Sequence, residues 1–324
     1  MTKGLSQRIV FLDAGTVDWG DLSLAGLARL GDFKAYPKTN PKQIELRSRK
    51  AEIVITNKCR LTAELLHRLR QLKLICVAAT GTNNVDLDAA RRLEIAVTNV
   101  SGYSTETVVQ FTFAFLLNLA GSTVNYNEAA HDGRWSRSSF FTLPGFPIQE
   151  IYGKTLGIVG LGKIGRRVAE VAKAFGMKIL TAKIPGRNYR ERKNVKRGSF
   201  NLVVRQSDFL SLHTPLSSLT QNLIDAKVLR KMKPGAFLIN MARGGLVDEK
   251  ALYRALKSGH LAGAAADVLG EEPPPRNHIL LKAPNLLLTP HVAWASREAR
   301  IRLVQEIALN IRAFQRGQRR NRVV

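Results

Sequence analysis

Short apolar runs alternate with longer amphipathic stretches along the whole chain, as strands and helices do in a parallel α/β fold. In the first hundred residues, runs at 9–12, 52–56, 74–79 and 96–100 predict strands. Between them, residues 62–71 predict a helix with Thr62 as its N-cap. These elements make a compact first domain ending near residue 100. From Ser104 to about Ala120 the side chains are nearly all apolar. A helix of that kind asks for burial on every side, between domains or against a second subunit. Residues 130–150 read as a loop rich in Ser, Phe, Pro and Gly. Its Trp135, Phe140, Phe141 and Phe146 suit a partner surface or a domain-packing loop equally well. A second series begins at Lys154, with strands at 155–160, 178–182, 209–213, 236–241, 263–267 and 286–289 and its clearest helix at 248–257. That succession predicts a doubly wound sheet. A closing helix from Ser296 to about Phe314 returns to the first domain, and the basic stretch 316–322 shows no pattern of its own.

Length and composition fit this picture. A chain of 324 residues suits about two domains. Its 45% apolar and 23% charged residues are ordinary for a globular protein. The longest apolar region, 108–120, is broken by Gln110, Thr112 and Asn118. It falls short of the ~20 residues a bilayer crossing needs. No secretory signal is predicted, because the apolar run near the N-terminus is only 9–12. Two cysteines make no disulfide framework, and Cys76, inside the apolar run 73–79, reads as a buried structural thiol. The simplest address is the cytoplasm.

Charge changes the picture. Fifty Lys and Arg against 25 Asp and Glu give a formal net charge of +25. Such an excess favours anionic partners: acidic metabolites, phosphorylated cofactors, or nucleic acid without sequence preference. Basic residues concentrate at Lys183, Arg187, Arg190, Arg192, Lys193, Lys196, Arg197 and Arg205, with Glu191 the one acid among them. A solvated loop and a phosphate-binding role for its first residues are both open. Sparse aromatics and the lack of any DNA- or RNA-binding motif argue against specific nucleic-acid recognition.

The strongest local chemistry is Gly160-Leu-Gly162-Lys163-Ile164-Gly165. It follows an apolar strand and opens a helix over 163–175, the context a dinucleotide-binding turn requires. The glycines allow a tight turn, close approach to a pyrophosphate and close helix–sheet packing, while the helix N-terminus offers N–H groups and partial positive charge. The next strand should end in an acid for NAD. It ends in Lys183 instead, with Arg187 close behind. A cation there favours NADP(H), with NAD(H) still possible if Lys183 is solvated and the ribose is held by backbone or water. Three further segments lie at predicted strand ends: His213-Thr214-Pro215, Met241-Ala242-Arg243-Gly244-Gly245 and Thr289-Pro290-His291. An Arg beside a Gly pair can clamp a carboxylate, and a His past a strand end can exchange a proton near neutral pH. Glu272 could orient that His and favour its charged form. Each of these also reads as a surface or packing residue, and no metal site is expected.

Taken together, the segments resemble the D-isomer-specific 2-hydroxyacid dehydrogenases, most closely the glycerate dehydrogenase (hydroxypyruvate/glyoxylate reductase) group. The resemblance rests on ordered motifs at 78–86, 99–105, 153–165, 212–216, 240–248, 266–273 and 289–294. It implies two Rossmann-like, doubly wound α/β domains. A cofactor domain at 101–293 is inserted into a flavodoxin-like substrate domain formed by 1–100 and 294–324. It also implies a homodimer and a small 2-keto or 2-hydroxy acid substrate, without a membrane. By the same resemblance Arg243 binds the substrate carboxylate and polarises its keto oxygen, Glu272 pairs with the catalytic histidine, and His291 is the general acid/base. Asn83 and Asn84 fall where backbone N–H groups hold the carboxylate. Asp267 matches a residue at the nicotinamide end, and Thr214, Pro215 and Met241 line the cofactor cleft. Two features depart from the pattern: Lys183 stands where NAD-using members carry an acid, and the net charge is high. A cofactor-sensing, non-catalytic protein like the corepressors of this fold is the alternative.

Overall fold

A computed structural model of the chain describes residues 7–189 and 197–324. Arg190, Glu191, Arg192, Lys193 and Lys196 of the basic cluster therefore lie outside the described residues. The chain divides into two compact units: the residues up to Ser104 with Trp294–Val324, and Thr105–Ala293.

The first unit holds β1 (Arg8–Phe11), β2 (Asp32–Ala35), β3 (Ile53–Thr56), β4 (Leu74–Val77) and β5 (Ala96–Thr98). The short helices α1 (Ala25–Ala28), α2 (Ile44–Ser48), α3 (Ala63–Arg68) and α4 (Leu87–Arg92) connect them. All strands are parallel, in the flavodoxin-like order β2-β1-β3-β4-β5. Period-two alternation sorts each strand between two cores. Ile9, Phe11, Ile53, Ile55 and Leu74 enter one, while Val10, Val54, Ile75 and Val97 enter the other beside Leu65 and Leu66 of α3. Thr62 caps α3 as expected, its side chain accepting from the Leu65 N–H. The edge strand β2 has no counterpart in the sequence reading, because its Asp-Phe-Lys-Ala run is short and half exposed.

The second unit opens with α5 (Thr105–Gly121) and α6 (Thr123–His131). It continues through β6 (Thr155–Val159), α7 (Lys163–Ala174), β7 (Lys178–Ala182), α8 (Phe200–Gln206), β8 (Phe209–Leu212) and α9 (Ala226–Lys231). It closes with β9 (Ala236–Asn240), α10 (Glu249–Lys257), β10 (Leu261–Ala266) and β11 (Leu286–Leu288). Its parallel sheet runs β7-β6-β8-β9-β10-β11. The order reverses between β6 and β8, the position where doubly wound sheets bind ligands.

Two expectations change. The apolar helix α5 meets most of its demand for burial inside its own unit. Val108, Val109, Phe113 and Leu116 join the core that contains Phe209, Phe237 and Val168, and Phe113 stacks on Phe175 at 5.6 Å. Leu117 stays exposed. No single described helix is long and apolar enough to cross a membrane, and α5 with α6 reaches that length only as a pair bent by 65°.

The basic stretch 316–322 is also ordered. Beyond the closing helix α11 (Arg297–Gln315), the chain returns along β5. The Val323 N–H donates to the Val97 carbonyl at 2.8 Å and the Asn99 N–H to the Asn321 carbonyl at 3.2 Å. Arg320 forks onto Glu306 at 2.7 and 3.1 Å and holds its carboxyl below the usual range. An open sheet edge presents backbone groups that a following segment can pair, whatever its side chains. Composition alone could not show that.

Candidate active site

At the end of β6 the glycine turn is shaped by contact. Gly160 has φ +102°, and a Cβ there would lie 2.5 Å from the His213 carbonyl oxygen. A Cβ at Gly165 would lie 2.1 Å from the Gly160 carbonyl oxygen. The turn is thus pressed onto the end of β8 on one side and onto α7 on the other. Gly162 differs: nothing approaches its Cβ position within 4 Å, and as N-cap of α7 it supplies no capping side chain. The first N–H groups of that helix, from Lys163 and Ile164 on, have no intrahelical acceptor. Beside them Thr214, only 2% exposed, keeps a buried Oγ1 with no hydrogen-bond partner among the described residues, as does His213 Nδ1. His213 Nε2 lies 2.8 Å from Ser211 Oγ, and burial pushes its imidazole pKa down to about 4. Buried polar groups are seldom left unpaired. An open helix N-terminus, a bare glycine and an orphaned hydroxyl fit the phosphates and polar groups of a dinucleotide.

The remaining cofactor-side residues flank this point. Met241, 8% exposed, lies just past β9, and Pro215 is exposed next to Thr214. Lys183 is exposed just past β7, its N–H donating to Gly198 at 2.9 Å. Close in sequence, the Arg187 and Arg197 guanidinium groups sit 5.6 and 4.6 Å from the Tyr189 ring centroid. The Tyr189 hydroxyl accepts from the Ile184 N–H at 3.0 Å. Two cations are therefore mounted on an aromatic ring that is itself fixed to the strand end.

The acid–base residues gather at the carboxyl ends of β9, β10 and β11. Asp267, 4% exposed just beyond β10, accepts from Thr289 Oγ1 at 2.6 Å and from the Val292 and Ala293 N–H groups at 2.8 and 2.9 Å. Burial raises its pKa. The Asp267 carbonyl also accepts the His291 N–H at 2.8 Å. This bracket holds His291 at φ +54°, a left-handed conformation that costs a non-glycine residue of order 1 kcal/mol or more. The turn aims the imidazole so that Nδ1 lies 2.6 Å from Glu272 Oε2, while Glu272 Oε1 accepts the Leu269 N–H at 2.9 Å.

Arg243 joins this pair through the backbone. A Cβ at Gly244 would lie 1.9 Å from the Leu269 carbonyl carbon, so the Arg243 loop is stacked directly on the chain that carries Glu272. Asn240 spans the loop: its Oδ1 accepts from the Ala242 N–H at 3.1 Å and its Nδ2 donates to the Arg243 carbonyl at 2.9 Å. The Arg243 guanidinium is exposed and donates to the Ala242 carbonyl at 2.7 Å. In the first unit, Asn84 Nδ2 donates to the Cys59 carbonyl at 3.1 Å, and its own carbonyl accepts the Leu61 N–H. Its neighbour Asn83 is exposed in the same turn.

Sequence reasoning had no part for Asn240 and Thr289. A buried Asn closing an apolar strand was the available signal for the first. Thr289 stands in one of the segments marked at strand ends, but nothing local gives it a partner, since its acceptor lies 22 positions away.

Residues 113–293 match the NAD binding domain of D-isomer specific 2-hydroxyacid dehydrogenases. Over 322 residues the chain is 40% identical to the glycerate dehydrogenase of Methylorubrum extorquens, covering 98% of this chain and 99% of that one. It is 34% identical to the hydroxypyruvate reductase of Blautia hydrogenotrophica, covering 96% and 97%. Among solved structures it resembles the NADPH-dependent glyoxylate/hydroxypyruvate reductase of Sinorhizobium meliloti, in complex with NADP and malonate. That match has a TM-score of 0.83 at 27% identity, covering 98% of this chain and 97% of that one. With a nicotinamide-binding domain over most of its second unit and relatives aligned end to end, the chain belongs to the D-isomer specific 2-hydroxyacid dehydrogenases, oxidoreductases of 2-keto and 2-hydroxy acids.

Proposed function

We propose that this enzyme reduces hydroxypyruvate or glyoxylate to D-glycerate or glycolate, with NADP(H) preferred over NAD(H), through Arg243, Glu272 and His291. The observation that carries the assignment is the 2.6 Å pairing of His291 with Glu272 on a left-handed turn, one backbone contact away from the Arg243 loop. The relatives named for glycerate and hydroxypyruvate support the substrate class.

A bound nicotinamide supplies the hydride that reduces the keto carbon. The chain supplies the rest. Glu272 holds Nδ1 at 2.6 Å, fixing the orientation of the ring and turning Nε2 to the substrate. Nε2 of His291 then delivers its proton to the alkoxide oxygen forming at C2, leaving a neutral ring. Arg243, with its planar fork, orients the substrate carboxylate and stabilises the growing negative charge on that oxygen. The Asn83–Asn84 turn contributes backbone N–H groups to the carboxylate. Asp267 serves the nicotinamide end and also brackets the His291 turn, and Met241 lines the cofactor cleft. Gly160, Gly162, Lys163, Ile164 and Gly165 cradle the pyrophosphate, with Thr214 and Pro215 closing that wall.

In this reading the unit Thr105–Ala293 is the dinucleotide-binding domain and the other unit the substrate domain. We also propose a homodimer. Phe140, Phe141, Ile148 and Tyr152 are exposed on one loop segment and Leu117 on α5, apolar side chains that a second copy of the chain could cover. Two free, buried cysteines support a cytoplasmic address.

The NADP(H) preference rests on Lys183 with Arg187 and Arg197 on their tyrosine mount. Lys183→Asp should shift the NADPH/NADH ratio of kcat/KM toward NADH by ~10-fold or more, as for loss of one charged hydrogen bond plus a new repulsion. A ratio that does not move would remove Lys183 from cofactor selection. Steady-state rates with hydroxypyruvate, glyoxylate, pyruvate and phosphohydroxypyruvate test the substrate. The first two should exceed the others in kcat/KM, and a clear preference for pyruvate would refute the assignment.

A further inference from the structure

One acidic side chain near the site has no place in the reaction so far. Glu249 is the first residue of α10. It does not cap that helix, since Asp248 does so by accepting from the Ala251 N–H at 3.0 Å. Its carboxylate turns away to the loop after β10: Oε1 accepts the Gly270 N–H at 2.8 Å, and Oε2 lies 3.1 Å from His278 Nε2. The two side chains are 20% and 11% exposed. His278 Nδ1 accepts the Leu280 N–H, so Nε2 is the nitrogen that carries hydrogen and donates to Glu249. Gly270 leaves room for the arrangement, since a Cβ there would sit 3.3 Å from Glu249 Oε2.

The peptide held in this way is the one that registers the whole catalytic set. On one side it is pressed by Gly244, whose added Cβ would lie 2.2 Å from Gly270 N, and this seats the Arg243 loop. On the other, the Leu269 N–H is donated to Glu272, whose second oxygen holds His291. Arg243 and the Glu272–His291 pair are thus referred to one stretch of backbone, Leu269–Gly270. Glu249 is the charged anchor of that stretch.

We propose that Glu249, braced by His278, is a positioning residue for the reaction: it fixes the Leu269–Gly270 peptide and thereby the mutual placement of Arg243, Glu272 and His291. The inference rests on the roles given above to those three residues. Glu249 itself touches no reacting atom. Misplacement of a catalytic group by about 1 Å can cost ~10²-fold in rate, so the side chain matters to kcat while leaving the dinucleotide turn after β6 alone.

The test uses the full-length enzyme and three readings on Glu249→Ala and Glu249→Gln. Glu249→Ala should lower kcat by ~10- to 10²-fold with the dissociation constant of NADPH within twofold of wild type. It should also raise the solvent deuterium isotope effect on kcat, because proton delivery from a misplaced imidazole becomes slower. Glu249→Gln keeps an oxygen for the Gly270 N–H but turns its NH2 toward the His278 Nε2–H, so it should recover part of the loss. If Glu249→Ala lowers the melting temperature but leaves kcat and the isotope effect unchanged, the residue is structural only and the proposal fails. If the Ala variant does not fold, Glu249→Leu, which fills the volume without an acceptor for the Gly270 N–H, takes its place, and an unchanged kcat and isotope effect in it would overturn the proposal. Failure of the underlying roles is separate, because it would show as His291→Ala retaining near-normal turnover.

Discussion

His291→Ala lowers kcat by ~10²-fold or more while NADPH binding survives nearly intact. The magnitude is that of losing a positioned general acid. The direction follows from where the residue sits. Its imidazole is tied to Glu272 at 2.6 Å and its backbone to Asp267 at 2.8 Å, whereas the dinucleotide turn is built from Gly160, Gly165 and the His213–Thr214 peptide. Truncating His291 removes a proton donor without touching those supports. Alanine keeps the Cβ that makes the turn at φ +54° costly, but the backbone bracket from Asp267 is untouched, so stability should fall little. Turnover in the variant, followed with cofactor affinity by fluorescence titration, separates the two effects. Weakened NADPH binding with unchanged kcat would place His291 in the cofactor site instead.

Arg243→Ala lowers kcat/KM by ~10²- to 10³-fold, and Arg243→Lys recovers only a small part of it. Removing one donor aimed at developing negative charge costs about 3 to 4 kcal/mol where comparable groups have been removed. Lysine keeps the charge and loses the planar fork, which is what matches a carboxylate with two parallel hydrogen bonds. The Arg243 carbonyl is held by Asn240 and its neighbour Gly244 by Leu269. The backbone therefore stays in place when the side chain is cut, and the effect reports the guanidinium alone. Steady-state kinetics across a hydroxypyruvate series check it. A lysine variant as active as wild type would show that a point charge suffices and would remove the clamp from the mechanism.

Much of the fold and of the candidate site is legible in the sequence. The glycines after β6 were readable because each spacing answers a separate steric need, and two of the three prove to be pressed against backbone while Gly162 stays open. The doubly wound architecture followed from alternating apolar runs, since parallel strands buried on both faces leave few polar positions to confuse the pattern. Other features escaped. The strand β2 is an edge strand with half its side chains in water, so periodicity carries no signal there. The helix α6 begins after Ser122 at φ +50°, a break that no residue type announces. The tail beyond α11 is ordered by β5 and by Arg320 on Glu306, contacts set by tertiary structure alone. Likewise Glu249 looks in sequence like any acid in the first turn of a helix, where the dipole favours it. Only the fold shows its carboxylate directed at Gly270 rather than at its own helix.

The decisive measurement is the product balance of a single reaction: hydroxypyruvate and NADPH with wild-type enzyme, following loss of nicotinamide absorbance while the glycerate formed is resolved by enantiomer. One D-glycerate should appear for each NADPH oxidised, and both should stop together in His291→Ala. L-glycerate as product would contradict the proposed stereochemistry, and tight NADPH binding with no oxidation by any 2-keto acid would contradict the reaction and leave a cofactor-binding protein in its place.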